Sequence, residues 1–320
     1  MRKEPQRQAV ASLLPAVISL SALEPALPTM YSSPPRVLPV ELMRPGDHAF
    51  VSYDDDEARW EVLAAFVQEG LRRGEKVSVL ADPKLSEEEI RARITTDTTD
   101  WATRNDPAQL KYTSMRELIA PHTEFTAQRQ VSRLWEETRR AGLEGYSGLR
   151  TVIDMGWVQD LGTDVTAVVH RETHADALFK NRRYAEICAY DRRRFAPAVI
   201  EAMRQGHPVS LVERLGGLSC VHGVTALRMA GDADLVNRAP FTDAVRTCLT
   251  TNAAAPRVLL DLTDLCFLDV GCATGLLRMI ASGSGRTHVE IHCSAFHASL
   301  LRRLGADAVE QLALVETARS

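Results

Sequence analysis

The sequence predicts an α/β protein of two units, the first built on a mostly parallel sheet and the second a small α/β layer structure. Three observations carry this. The chain has 320 residues, enough for two hydrophobic cores and longer than the commonest single domain. Short apolar runs alternate with stretches of helical periodicity, the pattern of parallel strands joined by crossover helices. The rhythm breaks once, at the glycine pair of "VERLGGLSCVHG" (212–223), which reads as a link between the units.

Residues 1–43 are expected to lie outside both units. "MRKEPQRQAVASLLPAVISLSALEPALP" starts basic and turns apolar, as a secretory leader would, but Glu4, Pro15 and Glu24 interrupt that pattern and no small-x-small cleavage site follows. The segment therefore reads as a disordered tail, or as sequence upstream of a later start at Met30 or Met43.

The first unit, 44–213, is expected to hold strands at "HAFVSY" (48–53), "KVSVLA" (76–81), "LKYTS" (110–114), "LRTVIDM" (149–155), "AEICAY" (185–190) and "PVSLVE" (208–213). Its first helix is the clearest. Asp55 or Asp56 can cap it, Trp60, Leu63, Ala64, Val67 and Leu71 recur at helical spacing, and Gly74 ends it. The second unit, 214–320, reads as strand "TALRMAG" (225–231), a helix from Ala239 to Thr250, strand "RVLLDL" (257–262), a helix after Cys272, strand "HVEIHC" (288–293) and a helix near Phe296.

Bulk composition narrows the function. With 45% hydrophobic and 25% charged residues the chain is an ordinary globular protein, and its net charge of -4, with both signs interspersed, gives no electrostatic footprint for nucleic acid. No apolar run is long enough to span a bilayer. The 6 cysteines form no CxxC pair, so a reducing cytoplasm fits them. Cys266 and Cys272 lack paired zinc-ligand spacing and read as small packing residues.

In open parallel sheets, ligands bind beyond the carboxyl ends of the strands, where loops and helix N-termini converge. The predicted strands deliver Tyr53, Asp54, Asp82, Ser114, Asp154, Trp157, Tyr190 and Asp191 to that edge. Aromatic faces with carboxylates could hold a small organic molecule there, although an aspartate after a strand is ordinarily a turn or cap residue. Neither a GxxxxGK[ST] phosphate loop nor a GxSxG nucleophile elbow is present, and "GLRRGEK" (70–76) reads as a helix end. "HRETH" (170–174) sets two histidines four apart without the HExxH order or a third ligand, so no metal is expected; no cofactor is expected either. "DDDE" (54–57) suits the positive end of the following helix dipole, and "DRRRF" (191–195) a solvated face.

"PGDHAFVSYDDDE" (45–57), "LRTVIDMGW" (149–157) and "EICAYDRRRFAP" (186–197), in that order, resemble the MEDS sensory domain of methanogen and methylotroph regulators. The resemblance implies a RecA/KaiC-like fold without a working phosphate loop, and sensing of a small organic molecule. It carries over His48, Tyr53, Asp154, Trp157, Cys188, Tyr190 and Asp191 as ligand-binding or signalling residues.

"LRMAGDADLVNRAPFTDAV" (227–245) and "RVLLDLTDLCFLDVGCATGLLRMI" (257–280) resemble the STAS domain of anti-sigma factor antagonists. That resemblance implies a small α/β fold, an anti-sigma factor or related serine kinase as partner, and a contact surface at Asp232, Asp234, Asp269, Gly271, Cys272 and Thr274. The family phosphorylates the second serine of Phe-Leu/Met-Asp-Ser-Ser-Gly-Leu. Here Phe267, Leu268 and Asp269 match, Val270 and Gly271 replace the serines, and Cys272 replaces the glycine. Without a hydroxyl the segment is expected to be a permanent docking surface; Thr274, one turn on, is the alternative acceptor. A purely structural reading also stands, in which Gly271, Cys272 and Ala273 only let strand and helix approach.

The expected function is thus a cytoplasmic, non-enzymatic regulator that senses a small molecule with its first unit and binds a partner with its second. An enzyme using the second unit for oligomerisation is the alternative, and would need a nucleophile, metal or cofactor in the first unit's crevice. A DNA-binding repressor would need a helix-turn-helix, which 1–43 is too short and too proline-broken to hold.

Overall fold

The structure, a computed structural model, describes residues 35–95, 106–283 and 287–317, apart from the side chains of 173 and 174. The first unit contains strands β1 (Arg36–Leu38), β2 (His48–Tyr53), β3 (Lys76–Leu80), β4 (Leu110–Thr113), β5 (Leu149–Asp154), β6 (Tyr184–Asp191) and β7 (Val209–Leu211). Between them run helices α1 (Asp56–Arg72), α2 (Glu87–Ile94), α3 (Met115–Ile119), α4 (Ala127–Leu143), α5 (Trp157–Asp160), α6 (Val165–His174), α7 (Asp176–Lys180) and α8 (Pro197–Gln205). The strands form one sheet in the order β1-β7-β2-β6-β5-β3-β4, with every neighbouring pair parallel.

Both faces of this sheet are covered, so β2 and β5 are buried at every residue rather than at alternate ones. Val51, Val79, Val152 and Ile187 pack under α1 and α2, while Phe50, Leu80, Ile153 and Cys188 face the opposite layer with Val168 and Met203. The sequence explains α1 in detail: Asp55 caps it by accepting from the Glu57 and Ala58 amides at 3.0 and 3.2 Å, and Trp60, Leu63, Val67 and Leu71 form its buried stripe. Ser86 and Glu89 close a capping box on α2.

The second unit contains β8 (Leu218–His222), β9 (Ala226–Ala233), α9 (Arg238–Thr251), β10 (Arg257–Leu268), α10 (Val270–Ala281), β11 (His288–Cys293), α11 (Ala295–Arg303) and β12 (Leu312–Glu316). Its sheet runs β12-β11-β10-β9-β8, parallel except for the β8–β9 hairpin. Alternate strand residues, among them Val258, Leu260, Leu262, Val289 and Ile291, meet Phe241, Leu276 and Leu301 of the helices in one core.

Three expectations move. The first unit does not begin at Arg44, because Arg36–Leu38 pairs with β7 and Leu38, Val40 and Met43 are buried; Pro39, which breaks the apolar run in sequence, separates β1 from a short 3-10 turn at Val40–Leu42. The leader reading falls on residues 1–34, outside those described. Part of the expected link is the strand β8, and β10 runs six residues further than "RVLLDL", past a register shift between Asp261 and Asp264. That irregularity accompanies a contact between the units: Arg36 Nε and Nη2 donate to both carboxylate oxygens of Asp264, at 3.1 and 2.5 Å.

Candidate functional site

The seven residues expected to bind ligand do not form one site. Tyr53 and Asp154 do meet at the carboxyl edge of the sheet, where the Tyr53 hydroxyl lies 3.1 Å from Asp154 Oδ2. Arg59, which the sequence did not single out, closes the group. Its Nη1 donates to the Tyr53 hydroxyl at 2.6 Å and to Asp154 at 3.2 Å, and its guanidinium stacks 4.4 Å over the Tyr53 ring. Burial, and then the Asp154 charge, push the Tyr53 hydroxyl far above its usual range. Arg59 Nε is left without a hydrogen-bond partner, but the other polar atoms pair with one another, with the Gly156 amide and with Asp56, so the group is a strut of the fold and not an open receptor.

Trp157 is buried against Phe125 at a ring distance of 4.5 Å and helps line a nearby cavity of about 340 Å³ with Asp82, Tyr112 and Ser114. Asp82 is held there by Arg194. Asp191 is partly buried at the end of β6, paired with Arg193 at 2.8 Å. Tyr190 is fully buried among Phe50, Phe195 and His207.

His48 and Cys188 lie elsewhere, on the face of the sheet that α6 covers. Strand register sets His48 opposite Glu186 and Phe50 opposite Cys188, so all four side chains share that face. Against them α6 presents Arg171 and Glu172, and the turn after α8 presents His207; each of these three is at most 2% exposed. His48 Nε2 is 3.0 Å from Glu172, 3.3 Å from Glu186 and 3.1 Å from Arg171 Nη1. Arg171 also donates to Glu172 at 2.8 Å and to Glu186 at 2.7 Å, while the Tyr184 hydroxyl bonds Glu186.

Charge explains how so many ionisable groups share a dry layer. Burial alone would raise the Glu186 carboxyl, but the Arg171 charge and the His48 hydrogen bond hold it down at about 2, and Arg171 likewise keeps Glu172 ionised. Burial works against a charged His48 too, yet hydrogen bonds to Glu172 and Glu186 outweigh it and raise its pKa. Burial, then the Glu172 and Glu186 charges, push the Cys188 thiol well up. His207 goes the other way: burial and the His48 charge lower it to about 4. Its Nδ1 is 2.6 Å from the Met203 carbonyl oxygen, which can only accept, so the proton sits on Nδ1 and the lone pair on Nε2. Ligand-type atoms of His48, Glu172, Cys188 and His207 all fall within 4.8 Å of one another. No such group is legible in the sequence, because its members come from four elements; the side chain of His174, half of the "HRETH" pair, lies outside the described residues.

The cluster reaches the surface through His48, which stacks on Phe179 at 4.5 Å and lines a cavity of about 480 Å³ at the amino edge of the sheet. Arg36, Arg44, Lys180 and Arg182 line that cavity together with the carboxylates Asp47 and Asp176, so cationic groups are in excess there. Gly46 there has φ +104, and a Cβ on it would press on Arg182 Cγ at 3.2 Å, so glycine is required both for conformation and for space. Arg182 itself has φ 52, the one non-glycine residue with positive φ among those described. Arg36 belongs to the cavity wall and to the Asp264 pair at once.

In the second unit the expected contact residues do gather at one end of the sheet. Phe267 stands opposite Asp232 in the β10–β9 ladder, and the Asp269 amide donates to the Ala233 carbonyl at 2.8 Å. Asp269 caps α10, accepting from the Cys272 amide at 2.5 Å and from Arg238 at 3.0 Å. Asp234 accepts from the Asn237 amide at 2.9 Å, and Thr274 is half-buried inside α10. Cys272 is buried and donates to the Asp234 carbonyl, so it holds the loop and does not offer a contact. Missed in the sequence were four large apolar side chains left exposed around this end: Leu235, Val236, Phe267 and Val270.

The arrangement defines a two-unit α/β protein whose first sheet carries a buried ionisable cluster on the face that α6 covers. Residues 47–208, half of the chain, match the family described as MEDS, the methanogen/methylotroph, DcmR sensory domain, and the chain belongs to that family. Membership gives it a sensory, signalling character. Among solved structures it is similar to the flagellar accessory protein FlaH from Methanocaldococcus jannaschii, at 11% identity and a TM-score of 0.35, over 58% of this chain and 76% of that one. No curated protein matches it. Among the described residues no helix is long and apolar enough to cross a membrane.

Proposed function

We propose that the chain is a non-catalytic regulator acting in the cytoplasm, in which the MEDS unit senses a small organic molecule and the second unit, read as STAS-like, docks an anti-sigma factor or a serine kinase of that type. The observation that carries this is Arg36, shared between the wall of the amino-edge cavity and the ion pair to Asp264. An anionic group of a ligand in the cavity competes with Asp264 for the guanidinium, and so alters the strand that ends in the Phe267–Gly271 segment. The docking half rests on the exposed Leu235, Val236, Phe267 and Val270, whose burial under a partner would remove apolar surface from water. Gly271 fits a dock that is not switched by phosphate. A Cβ there would meet the Arg238 guanidinium, which instead lies across the start of α10 and pairs with Asp269.

The test compares the full chain with an F267D/V270D variant as bait in lysate of the source organism. Wild type is expected to retain a serine kinase of the anti-sigma type without itself gaining phosphate, and the variant to lose it. Retention of no such kinase, equal retention by both baits, or phosphate on Thr274 would overturn the docking reading.

A further inference from the structure

We infer that His48, Glu172, Cys188 and His207 form a binding site for one divalent cation of the zinc class. Tetrahedral zinc with bonds of about 2.0–2.3 Å sets neighbouring ligand atoms about 3.3–3.8 Å apart. Here His48 Nε2 lies 3.0 Å from Glu172 Oε2 and 3.8 Å from Cys188 Sγ, His207 Nε2 lies 3.4 Å from Glu172 Oε2, and Cys188 Sγ lies 4.0 Å from Glu172 Oε1. The three of these that share one ligand atom per residue are within a few tenths of an ångström of that polyhedron; the Cys188 to Glu172 distance is to the other carboxylate oxygen, and all four ligand groups lie within 4.8 Å of one another, on side chains fixed by two strands, a helix and a turn. Two imidazoles, a thiol and one carboxylate suit a borderline ion; magnesium and calcium would require oxygen ligands throughout.

One nitrogen without a partner and one with conflicting partners point to the ion independently. His207 is fully buried, its Nδ1 is committed to Met203, and its Nε2 has no hydrogen-bond partner. That lone pair faces an ionised carboxylate oxygen, an acceptor against an acceptor, which a cation between them would satisfy. The Nδ1 bond to a backbone carbonyl is also the outer contact that orients a metal-bound histidine. His48 Nε2 is in conflict as well, since it faces two carboxylates, which call for a proton, and the Arg171 donor, which calls for a lone pair.

Arg171 Nη1 now supplies the positive charge between Glu172 and His48. A divalent ion takes that place while Arg171 keeps its Nη2 bond to Glu186, so guanidinium and metal are alternatives and the arginine sets the affinity. The cavity beside His48 and Phe179 is the route in. Metal binding stands apart from the partner-docking reading, and either can fail while the other holds.

The experiment titrates metal-free, reduced full-length protein with cobalt(II). Expected are one equivalent bound, an intense thiolate-to-cobalt charge-transfer band, visible bands of a four-coordinate ion, and their loss when zinc(II) is added. C188S is expected to abolish the charge-transfer band, C272S to leave it intact, H207Q to weaken binding by at least about ten-fold, and R171K to tighten it. Thermal unfolding of each variant shows whether it folds. The wild-type spectrum decides even where a variant does not: absence of the charge-transfer band at saturating cobalt overturns the site, as does a band that survives in folded C188S.

Discussion

Arg36 and Asp264 join the two units by a two-point pair in which the carboxylate is buried, with a side chain 5% exposed, and the guanidinium is 37% exposed. That inequality makes the two truncations unequal. D264A leaves an arginine that can turn into water, at about 1 kcal/mol, whereas R36A strands a buried carboxylate at about 2–3 kcal/mol. Urea unfolding of both variants checks the order; equal costs would mean that the pair is no more than a surface contact.

Arg59 is the hub of the carboxyl-edge strut. R59A leaves Asp154 buried with only the Tyr53 hydroxyl and the Gly156 amide, and is expected to cost about 3–5 kcal/mol. Y53F removes one neutral hydrogen-bonding group, at about 1 kcal/mol. Denaturant midpoints measure both, and a Y53F cost equal to that of R59A would be contrary to this picture.

Glu186 links the buried cluster to pH. It faces Arg171, His48, Tyr184 and Cys188, and its folded pKa is held at about 2 against an ordinary 4.5. A depressed carboxyl pKa contributes stability that is present above 4.5 and lost as pH falls towards about 2. E186Q should therefore be the less stable protein near neutrality, with the gap to wild type closing across that window. Urea midpoints taken stepwise down the pH scale test this, and a constant gap would rule it out.

Gly271 can accept a serine, because the only close neighbour of its missing Cβ is the flexible end of Arg238. G271S is expected to fold with a melting temperature within a few degrees of wild type. If the segment docks a kinase of the anti-sigma type, G271S should become a phosphoacceptor, and the added charge of about -1.5 to -2 beside Asp269 should lower partner affinity at least ten-fold. Mass spectrometry and a binding titration on the same sample would show an unmodified serine, or unchanged affinity, if it does not.

Much of the fold was legible because it rests on local signals. The aspartate cap and apolar stripe of α1 and the short runs of β-branched, aromatic and other apolar residues in β2, β5 and β6 are readable in the sequence. Elements held by distant partners were not: β1 is three residues long and exists through its pairing with β7, and β8 through its hairpin with β9. The candidate site failed in the same way. His48 and Cys188 were picked out, but assigned to a single crevice with Tyr53 and Asp154. Side-chain alternation sends His48 and Cys188 to the opposite face of the sheet from Val51 and Ile187, and their partners Arg171, Glu172 and His207 arrive from other elements. Nothing in "HRETH" marks Arg171 and Glu172 as buried. The exposed apolar ring around Gly271 was hidden because Phe267 and Val270 read as core residues in a strand-to-helix run.

The most direct measurement is backbone hydrogen exchange of the full chain, wild type against R36A, read by mass spectrometry. If Arg36 couples the cavity to the docking end, R36A will speed exchange around Gly46 and His48, along β10, and also in 269–273, at the far end of that strand from Arg257. Faster exchange confined to the first unit and to the immediate neighbours of Asp264 would contradict the coupling and leave two units that merely touch.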